Sequence, residues 1–242
     1  VALVALPLIG LAARSPWGRI GDLGSPLALD ALRISLVVSV GAAAIAVLLG
    51  VPVAWLLATR EFPFRTLVRA LVVLPLVLPP VVGGVALLAA FGRRGLLGGL
   101  LEAVGVELAF TRAGAVVAAA FVSFPLLVLA AEGGFRSTDI RLEQAAAGLG
   151  ASPWYRFARV VLPLAAPQVA VGAVLAWARA LGEFGATIMF AGNLAGRTQT
   201  LPLAVFELQQ TDPRGAALLS MLLVAVSLAV LLALRGRFLR PA

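Results

Sequence analysis

The sequence predicts an all-α integral membrane protein: one transmembrane domain over residues 1–242, built from six spans. Two observations predict it. Of the 242 residues, 62% are hydrophobic and only 12% charged, with a mean hydropathy of +1.06. A water-soluble chain carries about twice that charged fraction. In addition, several apolar runs reach the roughly 18 residues that a bilayer crossing needs. Hydrocarbon offers no water to bare backbone groups, so only helices and closed barrels cross it. These runs are continuous and do not alternate, which selects helices.

Absences narrow the chemistry. The chain has no cysteine and no histidine, and all 19 basic residues are arginine. That removes disulfides, thiolate chemistry and imidazole catalysis. Without lysine there is no G-x-x-x-x-G-K loop for nucleotide phosphates. An intramembrane enzyme would be left with Glu183, Asp30 and hydroxyl groups. The net charge of +8 is spread over short loops and forms no single face, so it points to lipid headgroups and topology rather than nucleic acid.

Residues 1–13 are apolar but too short to span, and read as the tail of a first helix whose start precedes Val1. A signal peptide is the alternative, but the basic n-region it needs is missing. Residues 14–30 form a polar loop with Trp17 as an interfacial anchor, and Asp30 and Arg33 open a second span near 31–58. The third span, near 70–91, holds Pro75, Pro79, Pro80, Gly83 and Gly84. Proline removes a helical hydrogen bond and clashes with the preceding turn, so this span is expected to break or kink. Such backbone survives at membrane depth when buried in protein or lining a cavity. A packing kink and a pathway lining are both consistent with it.

A Gly-rich loop over 92–111 leads to a fourth span near 112–131, and a loop over 132–163 to a fifth near 166–190. A loop over 191–213 leads to a sixth span near 214–234, and a basic tail follows from Arg235 to Arg240. Six spans put both termini on one side. That side carries the larger share of loop arginines, which makes it cytoplasmic.

The loop over 132–163 is half polar between lipid-compatible segments. Ser137 or Asp139 can cap a helix running to about Leu149, Gly150 can end it in the left-handed conformation, and Ser152-Pro153 can start another. The chain would re-enter the membrane at Pro163. Ala145, Ala146, Ala147 and Gly148 allow close approach of another surface, with Leu149, Trp154, Tyr155 and Phe157 as apolar anchors. A helix pair lying on lipid explains the aromatics and arginines. A helix seated in a partner's groove explains the small residues as well.

This stretch resembles the EAA loop of ABC importer permeases: E-A-A, three residues, G, nine residues, I-x-L-P. Gln144-Ala145-Ala146, Gly150 and Val160-Val161-Leu162-Pro163 reproduce the spacing. Gln144 stands for the usual Glu, with Glu143 one residue early, and Val160 for Ile. The resemblance implies a type I importer permease with a cytoplasmic coupling helix between spans four and five. It implies contact with the ATPase through Glu143, Gln144, Ala145, Ala146, Gly150, Ala151, Val160, Leu162 and Pro163. It also implies a homodimer with a second permease copy and two ABC ATPase subunits that hold ATP and Mg, leaving this chain without a cofactor. A passive channel or scaffold would leave the spacing unexplained.

A second stretch runs from Arg179 to Thr187 (RALGEFGAT), continues through Ala191-Gly192-Asn193, and ends in Gly196 to Pro202 (GRTQTLP). It resembles the molybdate permeases and, less closely, the sulfate/thiosulfate permeases. That likeness implies import of molybdate or the similar tungstate across a bacterial or archaeal cell membrane, fed by an extracytoplasmic binding protein. On physical grounds, Arg179 at mid-bilayer costs about 2.5–3.5 kcal/mol and needs a partner, and Glu183 lies one turn away. Either the pair is structural, or Arg179 attracts a dianion while Glu183 keeps binding weak enough for release. Pro79, Pro80, Gly83, Arg179, Glu183, Thr187 and Asn193 are the pathway or gate candidates. Asn193 and residues 196–202 would lie outside, as a gate, a binding-protein contact or a plain turn.

Overall fold

The computed structural model describes residues 2–238, with side chains through residue 232. Among them there are helices and no strands. In order they are α1 (Ala2–Arg14), a 3-10 helix (Trp17–Gly24), α2 (Pro26–Thr59), α3 (Arg65–Val77), α4 (Pro80–Phe91), α5 (Gly98–Ala103) and α6 (Arg112–Ser137). Then come α7 (Ile140–Gly148), α8 (Pro153–Arg156), a π-helical turn (Phe157–Val161), α9 (Leu162–Leu181), α10 (Gly185–Ala191), α11 (Leu201–Thr211) and α12 (Pro213–Phe238). Four helical stretches are long and apolar enough to cross a membrane: Pro26–Thr59, Arg112–Ser137, Pro153–Leu181 and Pro213–Leu232. Residues 239–242, with Arg240 of the predicted basic tail, lie outside the described residues.

The centre of the bundle is α2, α6 and α9. Their contact faces are small: Ala42, Ala46 and Ala54 on α2, Ala115, Ala119 and Ala131 on α6, and Ala165 and Ala176 on α9 are all fully buried. In lipid, helices associate by close packing more than by the hydrophobic effect, and small residues let backbones approach. A methyl added to Gly50 would lie 2.6 Å from Leu127, and one on Gly172 would lie 3.0 Å from Ala130.

Several sequence expectations need correction. The third span starts early, at Arg65 instead of near residue 70, and the segment over 92–111 contains α5. The second span begins at Pro26, not near residue 31, because the Ser25 hydroxyl accepts from the Ala28 N–H and Pro26 takes the first helical turn. The fifth span is not continuous: it breaks at Gly182–Phe184 between α9 and α10. The segment over 191–213 is not all loop. Leu201–Thr211 is helical, opened by extended Thr200 and by Pro202, with Leu201 and Ala204 buried against α2 and α12. Finally, the loop over 132–163 is much shorter than predicted. Glu132 to Ser137 complete α6, and Pro153 to Leu181 is helical throughout. Pro163 is therefore inside a helix and is no exit from a loop. The π-turn absorbs it: the Leu162 N–H donates five residues back to Phe157, just before a proline that has no N–H to give.

The predicted break in the third span is present. Leu78 and Pro79 are extended (φ −66°, ψ 136° and φ −54°, ψ 131°), separating α3 from α4. Each precedes a proline, which disfavours the helical conformation there.

One end of the bundle carries the turn over 60–64 and α7–α8. The other carries the 3-10 helix, α5, the segment over 192–200 and the α11–α12 joint. At that second end Arg19 reaches Asp22 at 2.7 Å and Asp212 at 2.8 Å, and Asp212 also caps α12 through the Gly215 N–H at 3.0 Å. The Arg19 hydrogen bond, followed by that from Gly215, holds the Asp212 carboxyl below its ordinary value.

Candidate coupling loop and transport site

The α7 helix projects from the bundle on a two-residue joint, Thr138-Asp139. Asp139 is its cap, accepting the Arg141 N–H at 2.9 Å; Ser137 instead donates to Gly134 O within α6. After Gly148 the chain closes with Gly150 N–H to Ala147 O at 2.9 Å and Ala151 N–H to Ala146 O at 3.0 Å. Gly150 has φ +85°, the left-handed conformation that the sequence anticipates. The Ser152 hydroxyl then accepts the Tyr155 N–H at 3.3 Å and starts α8.

This loop has two faces. Gln144, Ala145, Ala147 and Gly148 are exposed, and at the tip Leu149 is 90% exposed and Trp154 73%. Glu143 turns toward Arg156 at 3.5 Å and is half-buried, whereas Gln144 is exposed, which distinguishes the two acid-position candidates although both line the cavity between α7 and the bundle. Ala146, Ala151, Val160 and Leu162 are half-buried, and Pro163 is exposed. Phe157 does not serve as an outward anchor. It is buried against Trp55 (ring centroids 4.6 Å), Phe135 (6.3 Å) and Trp154 (5.6 Å), and ties the loop to α2 and α6. A cavity of about 450 Å³ separates α7 from the bundle, lined by Trp55, Arg60, Asp139, Glu143, Gln144 and Arg156 among others.

One residue here escaped sequence reasoning. Glu132 is 2% exposed and sits between Arg136, four residues on, at 2.7 Å and Arg69 of α3 at 3.4 Å. An acid in the run Ala130-Ala131-Glu132-Gly133-Gly134, with arginine at i+4, was the available signal.

The two helix breaks meet within the bundle. A methyl on Gly185, at the start of α10, would lie 2.7 Å from the Pro80 Cβ, and one on Gly84 would lie 2.6 Å from the Met189 Cβ and 2.9 Å from Ala186 O. Gly83 instead faces Phe121 of α6, so Gly84 makes the α10 contact. Beside the second break, Glu183 is 2% exposed; its carboxylate meets Arg179 at 2.6 Å and accepts the Ala186 N–H at 2.8 Å. The acid thus pairs with Arg179, as its spacing predicts, and also closes the first turn of α10. The buried Thr187 hydroxyl has no hydrogen-bond partner. Pro79 and Pro80 are exposed at the first break.

Asn193 stands apart from this group, in a segment at the end of the bundle opposite α7 that is held from three sides. Asn193 and Gln199 both donate to Glu207 (2.8 and 2.6 Å), Arg112 donates to Gly196 O and Arg197 O (3.0 and 3.1 Å), and the Leu201 N–H donates to the Ser35 hydroxyl (2.7 Å). The segment is a structured loop, not a plain turn.

Comparison with known proteins places this arrangement. The molybdenum transport system permease protein ModB of Mycobacterium tuberculosis is 47% identical over 98% of this chain and 90% of its own length. The Escherichia coli ModB is 46% identical over 84% of this chain and 90% of its own. The sulfate transport system permease protein CysT of Synechococcus elongatus is 35% identical over 95% of this chain and 84% of its own. Among solved structures, a bacterial ABC transporter that imports the acidic polysaccharide alginate superposes with a TM-score of 0.73 at 20% identity, covering 96% of this chain and 88% of that one. Residues 46–241 match the family described as binding-protein-dependent transport system inner membrane component. The chain is a multi-pass membrane protein and belongs to that family of ABC importer permeases.

Proposed function

We propose that this chain is the membrane-spanning subunit of an importer that carries molybdate, and tungstate by its similar size and shape, into the cytoplasm on ATP hydrolysed by partner subunits. The observation that carries the reading is α7: a capped helix on a short joint, with an open face of small residues and an exposed Leu149 tip, at the EAA-loop spacing. Relatives named for molybdenum at 46–47% identity, against 35% for one named for sulfate, favour molybdate over sulfate.

In this reading α7 of each of two permease copies seats in a groove of an ABC ATPase subunit, which holds ATP and Mg. Gln144, Ala145 and Leu149 touch the groove. Glu143 stiffens the loop through Arg156, and Gly150 sets the angle between α7 and α8. Nucleotide-driven closure of the ATPase pair moves the seated helices only because they sit at different energy in the two states. The loop hands that motion to α6 and α9, the two helices it joins. The anion passes near the paired breaks, where Arg179 supplies attraction and Glu183 limits it, so that release stays fast. The exposed outer segment around Asn193 meets an extracytoplasmic binding protein.

The test is co-purification of the tagged permease with the candidate ATPase. Reconstitution in liposomes follows, with binding protein and either molybdate, tungstate or sulfate. Uptake and ATP hydrolysis should rise with molybdate and tungstate and stay near baseline with sulfate. Stimulation by sulfate alone would overturn the substrate assignment, and failure to retain the ATPase would overturn the coupling assignment.

A further inference from the structure

We infer that Glu132 is a positioning residue of energy coupling, which locks the broken third span to the stem of the coupling loop through Arg69. The inference rests on the transporter reading above and names a connection that reading leaves open: how motion of α7 reaches the breaks.

Glu132 lies on α6 about two turns before the Asp139 cap of α7. The helix runs unbroken from Glu132 to Ser137, and only the extended pair Thr138-Asp139 separates it from α7, so α6 is a stiff lever attached to the loop. At 2% exposure the Glu132 carboxylate cannot rely on water, and an unpaired buried charge is strongly unfavourable. Arg136 meets it at 2.7 Å, but Arg136 is on the same helix and moves with it. Arg69, at 3.4 Å, is the one cation among the described residues that reaches this carboxylate from another element. Coulomb attraction is larger in these surroundings than in water, so α3 follows α6 when α6 shifts.

The α3 helix ends at the Leu78–Pro79 break, and Pro80 beyond it is packed on Gly185 at the head of α10, beside Glu183 and Arg179. A direct physical path therefore runs from α7 through α6, Glu132, Arg69 and α3 to the place where both spans are broken. At one end of this path Gly185 has no room for a methyl, and at the other the buried Glu132 carboxylate has ion-pair contacts only with Arg69 and Arg136 among the described residues.

The experiment compares wild type, Glu132→Gln, Arg69→Gln and the double variant, each assembled with the ATPase in liposomes with binding protein, and measures molybdate taken up per ATP hydrolysed. Glu132→Gln and Arg69→Gln should each lower that ratio by roughly tenfold while hydrolysis persists, the scale of a coupling energy between sites. The double variant should be no worse than either single one, because both remove one contact. Glu132→Asp, which keeps the charge, should recover part of the ratio. A wild-type ratio in Arg69→Gln would overturn the inference, since Glu132 would then serve α6 alone. Arg69 is half-exposed, so this variant stays informative even where Glu132→Gln fails to assemble. Absence of ATP-driven uptake in wild type would instead overturn the transporter reading itself.

Discussion

Gly150 shows how one residue sets the geometry of the loop between α7 and α8. Its φ of +85° reverses the chain between α7 and α8, and nothing lies within 4 Å of where a side chain would start. The constraint is thus conformational and not steric. An L-residue in the left-handed region costs about 1–2 kcal/mol, and a β-branched one more than an asparagine. Glu143, by contrast, holds Arg156 at 3.5 Å with both side chains partly exposed, a pair worth at most about 1 kcal/mol. Gly150→Val should therefore reduce the ATPase retained by the tagged permease more than Glu143→Gln does, with Gly150→Asn between them. The quantity to measure is ATPase per permease after affinity purification; equal retention in Gly150→Val and wild type would refute the hinge role.

At the scale of elements, the feature that matters is the contact between α4 and α10. Both are short helices that follow a break, and they are held together by glycine. Gly84 lets the Ala186 backbone in, and Gly185 lets Pro80 in. Overpacking such a contact costs typically about 1–3 kcal/mol, because backbone must move. Gly84→Val should lower the melting temperature in detergent and abolish most anion uptake, whereas Gly99→Ala on α5, with nothing within 4 Å, should leave both near wild type. If Gly84→Val transports normally, the two half-helices do not need their close fit. The end of the bundle opposite α7 is fixed differently, by Arg19, Asp22 and Asp212, whose charges join the 3-10 helix to the head of α12.

For the whole molecule, the arrangement sorts the chain into two ends, and the arginine bias assigns α7 to the cytoplasm. The absence of cysteine makes this directly testable. Leu149 and Leu96 are each 90% exposed, at opposite ends of the bundle. In intact cells a membrane-impermeant maleimide should label Leu96→Cys, and should label Leu149→Cys only after permeabilisation. The reverse pattern would invert the topology, and with it the proposal that α7 meets an ATPase.

The sequence by itself determined the class of the protein, the break in the third span, and the caps and left-handed turn of the loop that carries α7. These follow from composition and from signals within a few residues of where they act: Leu78-Pro79-Pro80 for the break, Asp139, Gly150 and Ser152 for the loop. The ion pair of Arg179 with Glu183 was legible for the same reason, being one helical turn long. Only the tertiary structure decided the rest. The inward turn of Glu143, the burial of Phe157 and the clamp on Glu132 depend on partners brought in by other helices. So does the meeting of Pro80 with Gly185, more than a hundred positions apart. The second break and the helix Leu201–Thr211 were hidden in apolar or loop-like sequence, because what stabilises them is a buried carboxylate capping Ala186 and packing against α2 and α12. Local chemistry sets where a helix starts and stops, but which buried charge finds a partner, and on which helix, is fixed only when the spans pack.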